Sequence, residues 1–310
     1  GLQILKKSKR AHRLGVHASR RALALRAPRN SALSNRDSVY HPTYYSKKRF
    51  LRTAGPVVVT VHDMIPEKLP ELFRRNPHLD KDWYLDRADA IIAISESTAQ
   101  DLHDLRPELT TPVHVIPLGV DTAAFNAVGA TAESFPRPWA LFVGNRSGYK
   151  DFSVLLSALA EAPARSVHLV VVSSRGATSE EQSMMNRLGI AERVTFVGAD
   201  DDRLAVLYRS ADVFVFPSRY EGFGLPTLEA MASGTPVILP STSSHPEVGG
   251  DAGIYFSPGN SEELAERLAQ ITQDPTLREE LHVRGISHAA SFTWQRTAQL
   301  TAQVYRSVLR

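Results

Sequence analysis

"DVFVFPSRYEGFGLPTLEAMASGTPVILP", residues 212–240, runs from an apolar strand through a glycine turn and a helix into a second apolar strand. "DVFVFP" (212–217) and "PVILP" (236–240) are short continuous apolar runs. Pro226 suits the first turn of a helix, where its missing N–H costs nothing. A strand, a helix and a strand in that order predict a parallel pair joined by a crossover. The same unit repeats on the N-terminal side. "WALFVG" (139–144) precedes a helix near 151–160, and "VHLVVVS" (167–173) a helix near 180–188. "RVTFVG" (193–198) leads into a helix over 202–209, and "GIYFS" (253–257) supplies a last strand. Continuous Val/Ile/Phe runs mean a sheet covered on both faces. Residues 139–290 therefore read as a doubly wound α/β domain. Helices near 261–272, 275–288 and 293–307 close the chain.

The earlier half reads less regularly. "PVVVTVH" (56–62), "DAIIAIS" (89–95) and "PVHVIPL" (112–118) are strands, and "SVYH" (38–41) is expected to be a short one. Ser97 and Gln100 are spaced as a capping box for the helix after "DAIIAIS". "PLGVDTAAFNAVGATAESFPRP" (117–138) is loop-rich, with prolines at both ends. The expected organisation is a first domain over 1–116, a linker over 117–138, a second domain over 139–290, and a C-terminal helix over 291–310 that packs back on the first domain.

Composition narrows the partners. The 310 residues are 43% hydrophobic and 22% charged, as in an ordinary globular protein. The absence of cysteine excludes disulfides and thiol chemistry and fits a reducing compartment. The net charge of +3 conceals an asymmetry: residues 1–52 hold 14 Lys/Arg and one acid, the remainder 22 and 32. "LQILKKSKRAHRL" and "SRRALALR" read as short basic helices. Such an arm suits an anionic membrane surface as well as it suits plain solvation. No sequence here resembles a nucleic-acid-binding module, so no nucleic acid is expected. The expected location is cytoplasmic, with peripheral contact to the inner face of a membrane through residues 1–52.

In a doubly wound sheet, ligands sit beyond the carboxyl ends of the strands. Those ends carry His62-Asp63, the loop Gly144-Asn145-Arg146-Ser147-Gly148-Tyr149-Lys150, Ser173-Ser174-Arg175-Gly176, Gly198, and Ser218 to Gly224. Arg146 and Lys150 on one glycine-flanked loop suit a diphosphate facing the same cleft; taken alone, each also reads as a surface charge. The N–H groups of Phe223, Gly224 and Leu225 at a helix start make an anion site. Gly222 and Gly224 would let a ligand approach the backbone closely. Glu221 before the turn and Glu229 on the helix both accept hydrogen bonds from hydroxyls, so the expected guest is a polyol with phosphates between its sugars. The three aspartates of "ADDDRL" (199–204) are better placed to cap a helix than to bind metal, and no metal or cofactor is expected. "SSHPEVGG" (243–250) reads as a loop, and the tryptophans as core or interdomain anchors.

"GNRSGYKD", "SRYEGFGLPTLEAMASGTPVI" and "VIPLGVD" closely resemble the retaining nucleotide-sugar glycosyltransferases of family four, also called group one. "TVHDMIPEKLP" and "ADAIIAISESTAQDL" resemble that family's first domain, in the mannosyltransferase-like branch that assembles bacterial surface polysaccharides. The resemblance covers roughly residues 38–290. It implies the GT-B fold, two Rossmann-like domains facing a cleft. It also implies a retaining hexosyl transfer from a nucleotide-diphosphate sugar, GDP-mannose first, to a glycan or lipid-linked acceptor. By position, Arg146 and Lys150 match the pair holding the donor diphosphate, with Gly144 and Asn145 on the same loop. Glu221 matches the acid on the transferred sugar, and the backbone of Gly222, Phe223, Gly224 and Leu225 meets sugar and phosphate. Glu229 matches the acid on the ribose. His62 matches a histidine that lines the sugar site from the first domain; its bland alternative is a packed strand-end residue. The implied mechanism is driven by departure of the nucleotide diphosphate, whose own phosphate oxygen serves as base. The family's opening strand and glycine-rich loop are not found, so the first domain is expected to be reduced or to lack its N-terminal portion. Other readings on this fold are an epimerase, a phosphorylase, or a non-catalytic accessory subunit.

Overall fold

In the computed structural model the described residues are 37–47, 55–129, 133–146 and 148–309. Most of the basic arm over 1–52, with its expected helices, lies outside them. The first domain has a three-stranded parallel sheet, ordered β1-β2-β3: β1 Val58–Val61, β2 Ala90–Ala93 and β3 Val113–Val115. The expected strand over 38–41 is reduced to a single parallel bridge between Tyr40 and Val57, since Pro42 supplies no N–H to continue a ladder. Between β1 and β2 lie α1 (Ile65–Lys68) and α2 (Lys81–Leu85); α3 (Glu96–Leu105) follows β2.

The second domain has six parallel strands: β4 Trp139–Val143, β5 His168–Val172, β6 Val194–Val197, β7 Val213–Val215, β8 Val237–Pro240 and β9 Gly253–Phe256. Their order is β6-β5-β4-β7-β8-β9. The chain leaves β4 first toward one edge and then, through β7, toward the other, so the order reverses between β4 and β7. The sheet is covered by α4 (Phe152–Ala160), α5 (Ser179–Leu188), α6 (Asp201–Ser210), α7 (Leu225–Ala232), α8 (His245–Gly249), α9 (Ser261–Gln273) and α10 (Pro275–Ala289).

Strand periodicity sorts the core into two layers. Ala140 and Phe142 of β4 face Phe152, Leu155 and Leu159 of α4 and Leu264 and Leu268 of α9. Trp139 and Leu141 face the other way, among Tyr208 of α6 and Leu228 and Met231 of α7. All of these side chains are at most 2% exposed. Each large apolar side chain so buried contributes about 1.5–3 kcal/mol.

The helix α11 (Trp294–Val308) returns to the first domain. Leu300, Val304, Tyr305 and Val308 pack on Val58, Ala90, Ile92 and Ile116. Thr297 donates its hydroxyl to the Pro117 carbonyl at 2.7 Å, and the Val120 N–H donates to the Phe292 carbonyl at 3.0 Å. Trp294, expected as an anchor, is 47% exposed because it opens α11 on the outer side, whereas Trp139 is fully buried. No helix among the described residues is long and apolar enough to cross a membrane.

Two helix starts test the local reading. Asp200 caps α6, accepting from the Arg203 N–H at 3.0 Å, as expected of the aspartate run. The capping box at Ser97 and Gln100 is not formed. Ser95 is the cap and accepts from the Thr98 N–H at 3.0 Å, while Gln100 bonds Asp104 on the helix surface. The helix begins at Glu96, so Ser97 is already inside it.

Gly119 lies where the linker meets α11. A Cβ there would stand 2.2 Å from the Trp294 nitrogen and 2.5 Å from the Thr293 carbonyl carbon. Backbone cannot yield as a side chain can, so Gly119→Ala is expected to cost at least about 1–3 kcal/mol. A fall in the urea midpoint at unchanged m-value is the outcome that checks it.

Candidate functional site

The reversal between β4 and β7 brings the loop after β4 beside the loop after β7. Three contacts hold them together. The Arg219 N–H donates to the Tyr149 carbonyl at 2.7 Å. The Arg219 guanidinium forks onto both oxygens of Asp151, each at 2.8 Å. Between those two points, Lys150 Nζ donates to Glu221 Oε1 at 2.5 Å. Asp151 adopts φ 46°, ψ 35°, a left-handed conformation that aspartate tolerates better than most residues and that turns its carboxylate toward Arg219. Arg219 and Asp151 were not singled out in the sequence. Their trace there is only that each sits within two residues of an expected site residue.

Lys150 and Glu221 are both largely shielded, their side chains 14% and 11% exposed. Burial pushes the Glu221 carboxyl above its usual range, with the Lys150 ammonium pulling it back and Asp63, across the cleft, pushing it further up. The Tyr149 phenol is pushed up to about 12 by burial, then by Glu221 and Asp63.

Arg146 leaves the same loop toward the other neighbour of β4. Its guanidinium donates to Glu181 at 2.8 Å, to the Ser173 hydroxyl at 2.5 Å and to the Gly176 carbonyl at 2.9 Å. Glu181 also completes a capping box at the start of α5, with Thr178. Its carboxyl stays below the usual range although burial opposes this, because Arg146 and Thr178 both donate to it. Arg146 and Lys150, expected to face one anion, flank the loop here, each engaged by its own carboxylate. Gly144, Asn145, Arg146, Ser173, Arg175 and Thr178 line a cleft of about 630 Å³ on the Arg146 side, within the usual range for a small-molecule site. Gly144 takes φ 140° and the Asn145 carboxamide accepts the Arg146 N–H at 2.7 Å, which turns this loop.

At the start of α7, Gly224 takes φ 102°, and no side chain caps the helix. Among the described residues, no hydrogen bond engages the N–H groups of Phe223, Gly224 or Leu225. The Phe223 ring is instead buried against Phe292, with centroids 6.1 Å apart. Glu229, one helical turn on, accepts from the Tyr208 hydroxyl at 3.2 Å. Burial raises its pKa, the Tyr208 bond lowers it, and Asp201 raises it again.

Gly222 departs from expectation. A Cβ on it would lie 1.9 Å from the His62 carbonyl oxygen. Its own carbonyl accepts the Ser95 hydroxyl at 2.7 Å and the Thr98 hydroxyl at 3.2 Å. The space expected for a ligand is filled by the first domain. His62 is exposed as a residue. Partial burial of its imidazole holds its pKa below the usual value, with Asp63 opposing and Lys81 reinforcing. Lys81 is only 1% exposed and donates to the Asp63 carbonyl at 2.7 Å and to Glu67 at 2.9 Å, which fixes the strand end bearing His62.

The segment 243–250, expected as a loop, forms the short helix α8 from His245. It braces the Glu221 loop. The His245 ring, fully buried, meets the Ser218 carbonyl at 2.8 Å through Nε2. Glu247 accepts the Glu96 N–H at 2.9 and 3.0 Å and so caps α3 of the first domain. A five-residue helix has no periodicity to betray it.

Two outcomes test these contacts. Gly222→Ala is expected to force the domains apart, lowering the melting temperature and raising the radius of gyration in small-angle scattering; unchanged values would refute the contact. His245 has its pKa lowered to about 4, chiefly by burial. An imidazole depressed from about 6.5 leaves stability intact above that pH, and the stability is lost as pH falls toward 4, because the unfolded chain binds the proton first. A depression from 6.5 to about 4 corresponds to about 3 kcal/mol. His245→Gln is expected to remove that part of the acid slope in urea titrations between pH 6.5 and 4. The difference from the parent separates it from Glu221, Glu229 and Glu247, whose raised values act in the opposite sense.

The family model described as "Glycosyl transferases group 1" matches residues 131–288, and "Glycosyltransferase Family 4" matches residues 10–124. O-antigen chain mannosyltransferase B of Escherichia coli is 28% identical, over 96% of this chain and 79% of its own. MMP alpha-(1->4)-mannosyltransferase of Mycolicibacterium hassiacum is 30% identical, over 82% of this chain and 66% of its own. Among solved structures, sucrose-phosphate synthase from Thermosynechococcus elongatus superimposes with a TM-score of 0.71 at 25% identity, covering 87% of this chain and 73% of that one. Anabaena HepE in complex with UDP-glucose does so with a TM-score of 0.68 at 22% identity, covering 82% and 73%. With two Rossmann-like parallel sheets meeting at the Glu221 loop and both family models matched, this chain has the GT-B fold and belongs to the group 1, family 4 glycosyltransferases.

Proposed function

We propose that this glycosyltransferase moves a hexose, mannose from GDP-mannose first, onto a glycan or lipid-linked acceptor in cell-surface polysaccharide assembly, with retention at the anomeric carbon. The observation that carries the reading is the Lys150–Glu221 pair at the β4/β7 switch point, beside the open start of α7. Relatives named as mannosyltransferases support the choice of sugar, and the O-antigen relative supports the class of product. The solved complex of HepE with UDP-glucose supports a nucleotide-diphosphate sugar as donor.

The residues divide the work by chemistry. A departing diphosphate gathers negative charge as the glycosidic bond loosens. Lys150, Arg146 and the N–H groups at the start of α7 are the positive groups to meet it, and fixed donors of this kind stabilise a transition state without reorganising. Glu221 accepts from hydroxyls of the transferred sugar once the diphosphate draws Lys150 away. Glu229 accepts from the ribose. His62, from the first domain, lines the sugar side of the cleft. The acceptor hydroxyl enters on the face the diphosphate leaves, and the leaving phosphate oxygen takes its proton, so no protein base is required.

A panel of nucleotide sugars read by thermal shift tests the donor. A ligand bound only by the native state, at a hundred times its Kd, raises stability by about 2.7 kcal/mol. GDP-mannose is expected to give the largest shift. A flat response across GDP-, UDP- and ADP-sugars would overturn the reading. Arg146→Ala and Lys150→Ala are each expected to lower kcat by about 10²–10³, measured as nucleoside diphosphate release.

A further inference from the structure

We propose that Ser243 is a positioning residue that sets where the Glu221 carboxylate stands against the donor sugar; the inference rests on the reading of Glu221 given above. The Ser243 hydroxyl donates to the Glu221 carbonyl at 2.7 Å and accepts from the Glu221 N–H at 3.1 Å. One side chain thus holds both backbone polar groups of the residue that meets the sugar. The neighbouring Ser244 hydroxyl, fully buried, stands 2.9 Å from the Phe223 carbonyl and 3.1 Å from that of Glu221. With Ser95 and Thr98 on the Gly222 carbonyl, three successive carbonyls, 221 to 223, are each held by hydroxyls rather than by a strand or a helix. The Ser97 hydroxyl of the first domain lies 3.5 Å from that of Ser243, so the clamp is in touch with both walls of the cleft.

The backbone of Ser243 gives the reason to single it out. It adopts φ 54°, in the left-handed region, where glycine would sit without strain. A serine held there gains nothing from backbone preference. What the position gains over glycine is the hydroxyl, and that hydroxyl is spent on Glu221. Strained non-glycine residues persist where the surroundings over-determine them, commonly at functional sites. A carboxylate that must meet particular hydroxyls has to be held within about 0.5 Å of its productive place, and a displacement on the order of 1 Å costs about 10² in rate.

Ser243→Gly separates placement from folding, because it deletes the hydroxyl while relieving the backbone. The assay uses whichever nucleotide sugar of the panel the parent turns over fastest, with kcat expressed per nucleotide-binding site so that unfolded protein does not enter. Ser243→Gly is expected to melt at or above the parent's temperature, to bind the nucleoside diphosphate within about threefold of the parent, and to lose about 10- to 100-fold in kcat. Ser243→Ala, which loses the hydroxyl but keeps the strain, is expected to show the same kcat loss at a lower melting temperature. Glu221→Gln is measured in parallel. If it keeps the parent's kcat, the reading of Glu221 fails and this inference with it. If Glu221→Gln is impaired while Ser243→Gly stays within twofold of the parent, only the positioning role is overturned. A Ser243→Gly loss matched by an equal loss of nucleotide affinity or of melting temperature overturns it as well, since the hydroxyl would then serve the fold.

Discussion

The arrangement depends on one close approach, the His62 carbonyl lying against Gly222. No other residue type fits at 222, because the first domain occupies the place of its Cβ. From this contact the two sheets acquire a common register. The strand end of β1 presents His62 and Asp63 to the cleft, and the turn after β7 presents Glu221 from the other side. Ser95 and Thr98 then complete the junction through the Gly222 carbonyl, and Glu247 repeats it one layer away by capping α3. A backbone-to-backbone contact is stiffer than any pair of long side chains. It fixes the separation of the domains at the point where the sugar would sit.

Within the second domain, charge is arranged around that junction in pairs. Lys150 with Glu221, Arg146 with Glu181, and Arg219 with Asp151 each join residues from two different strand ends. The last is the most exposed on its cationic side and serves to align the loops. The first two are shielded, and shielded ions must recover their desolvation from each other. Burial still holds the Glu221 carboxyl above its usual range despite Lys150, whereas Arg146 and Thr178 hold that of Glu181 below it.

Much of this was legible in the sequence, for identifiable reasons. Continuous apolar runs such as 139–143 and 168–172 read as buried strands when helices alternate with them, so the second, parallel sheet followed, while the strand order that creates its reversal did not. The Glu-Gly-Phe-Gly-Leu-Pro run announced a helix start without a side-chain cap. What stayed hidden were relations between distant residues. No local rule joins Arg146 to Glu181 or Arg219 to Asp151, which meet only because β5 and β7 both neighbour β4. Ser95 and Ser97 lie two residues apart, and helix ends are uncertain on that scale. Gly222 was recognised as special, but a sequence does not say whether a ligand or another domain takes the space a glycine leaves.

The paired cations carry a consequence for turnover. On the function proposed above, a diphosphate that reaches Arg146 and Lys150 does not meet bare positive charge; it competes with Glu181 and Glu221 for cations already engaged. Exchanging one anion for another lowers the net gain in binding. Affinity for the ground-state donor is thereby restrained, whereas the additional charge that develops on the diphosphate as the sugar departs meets the same donors at full strength. Interactions that are stronger in the transition state than in the ground state are the ones that accelerate a reaction.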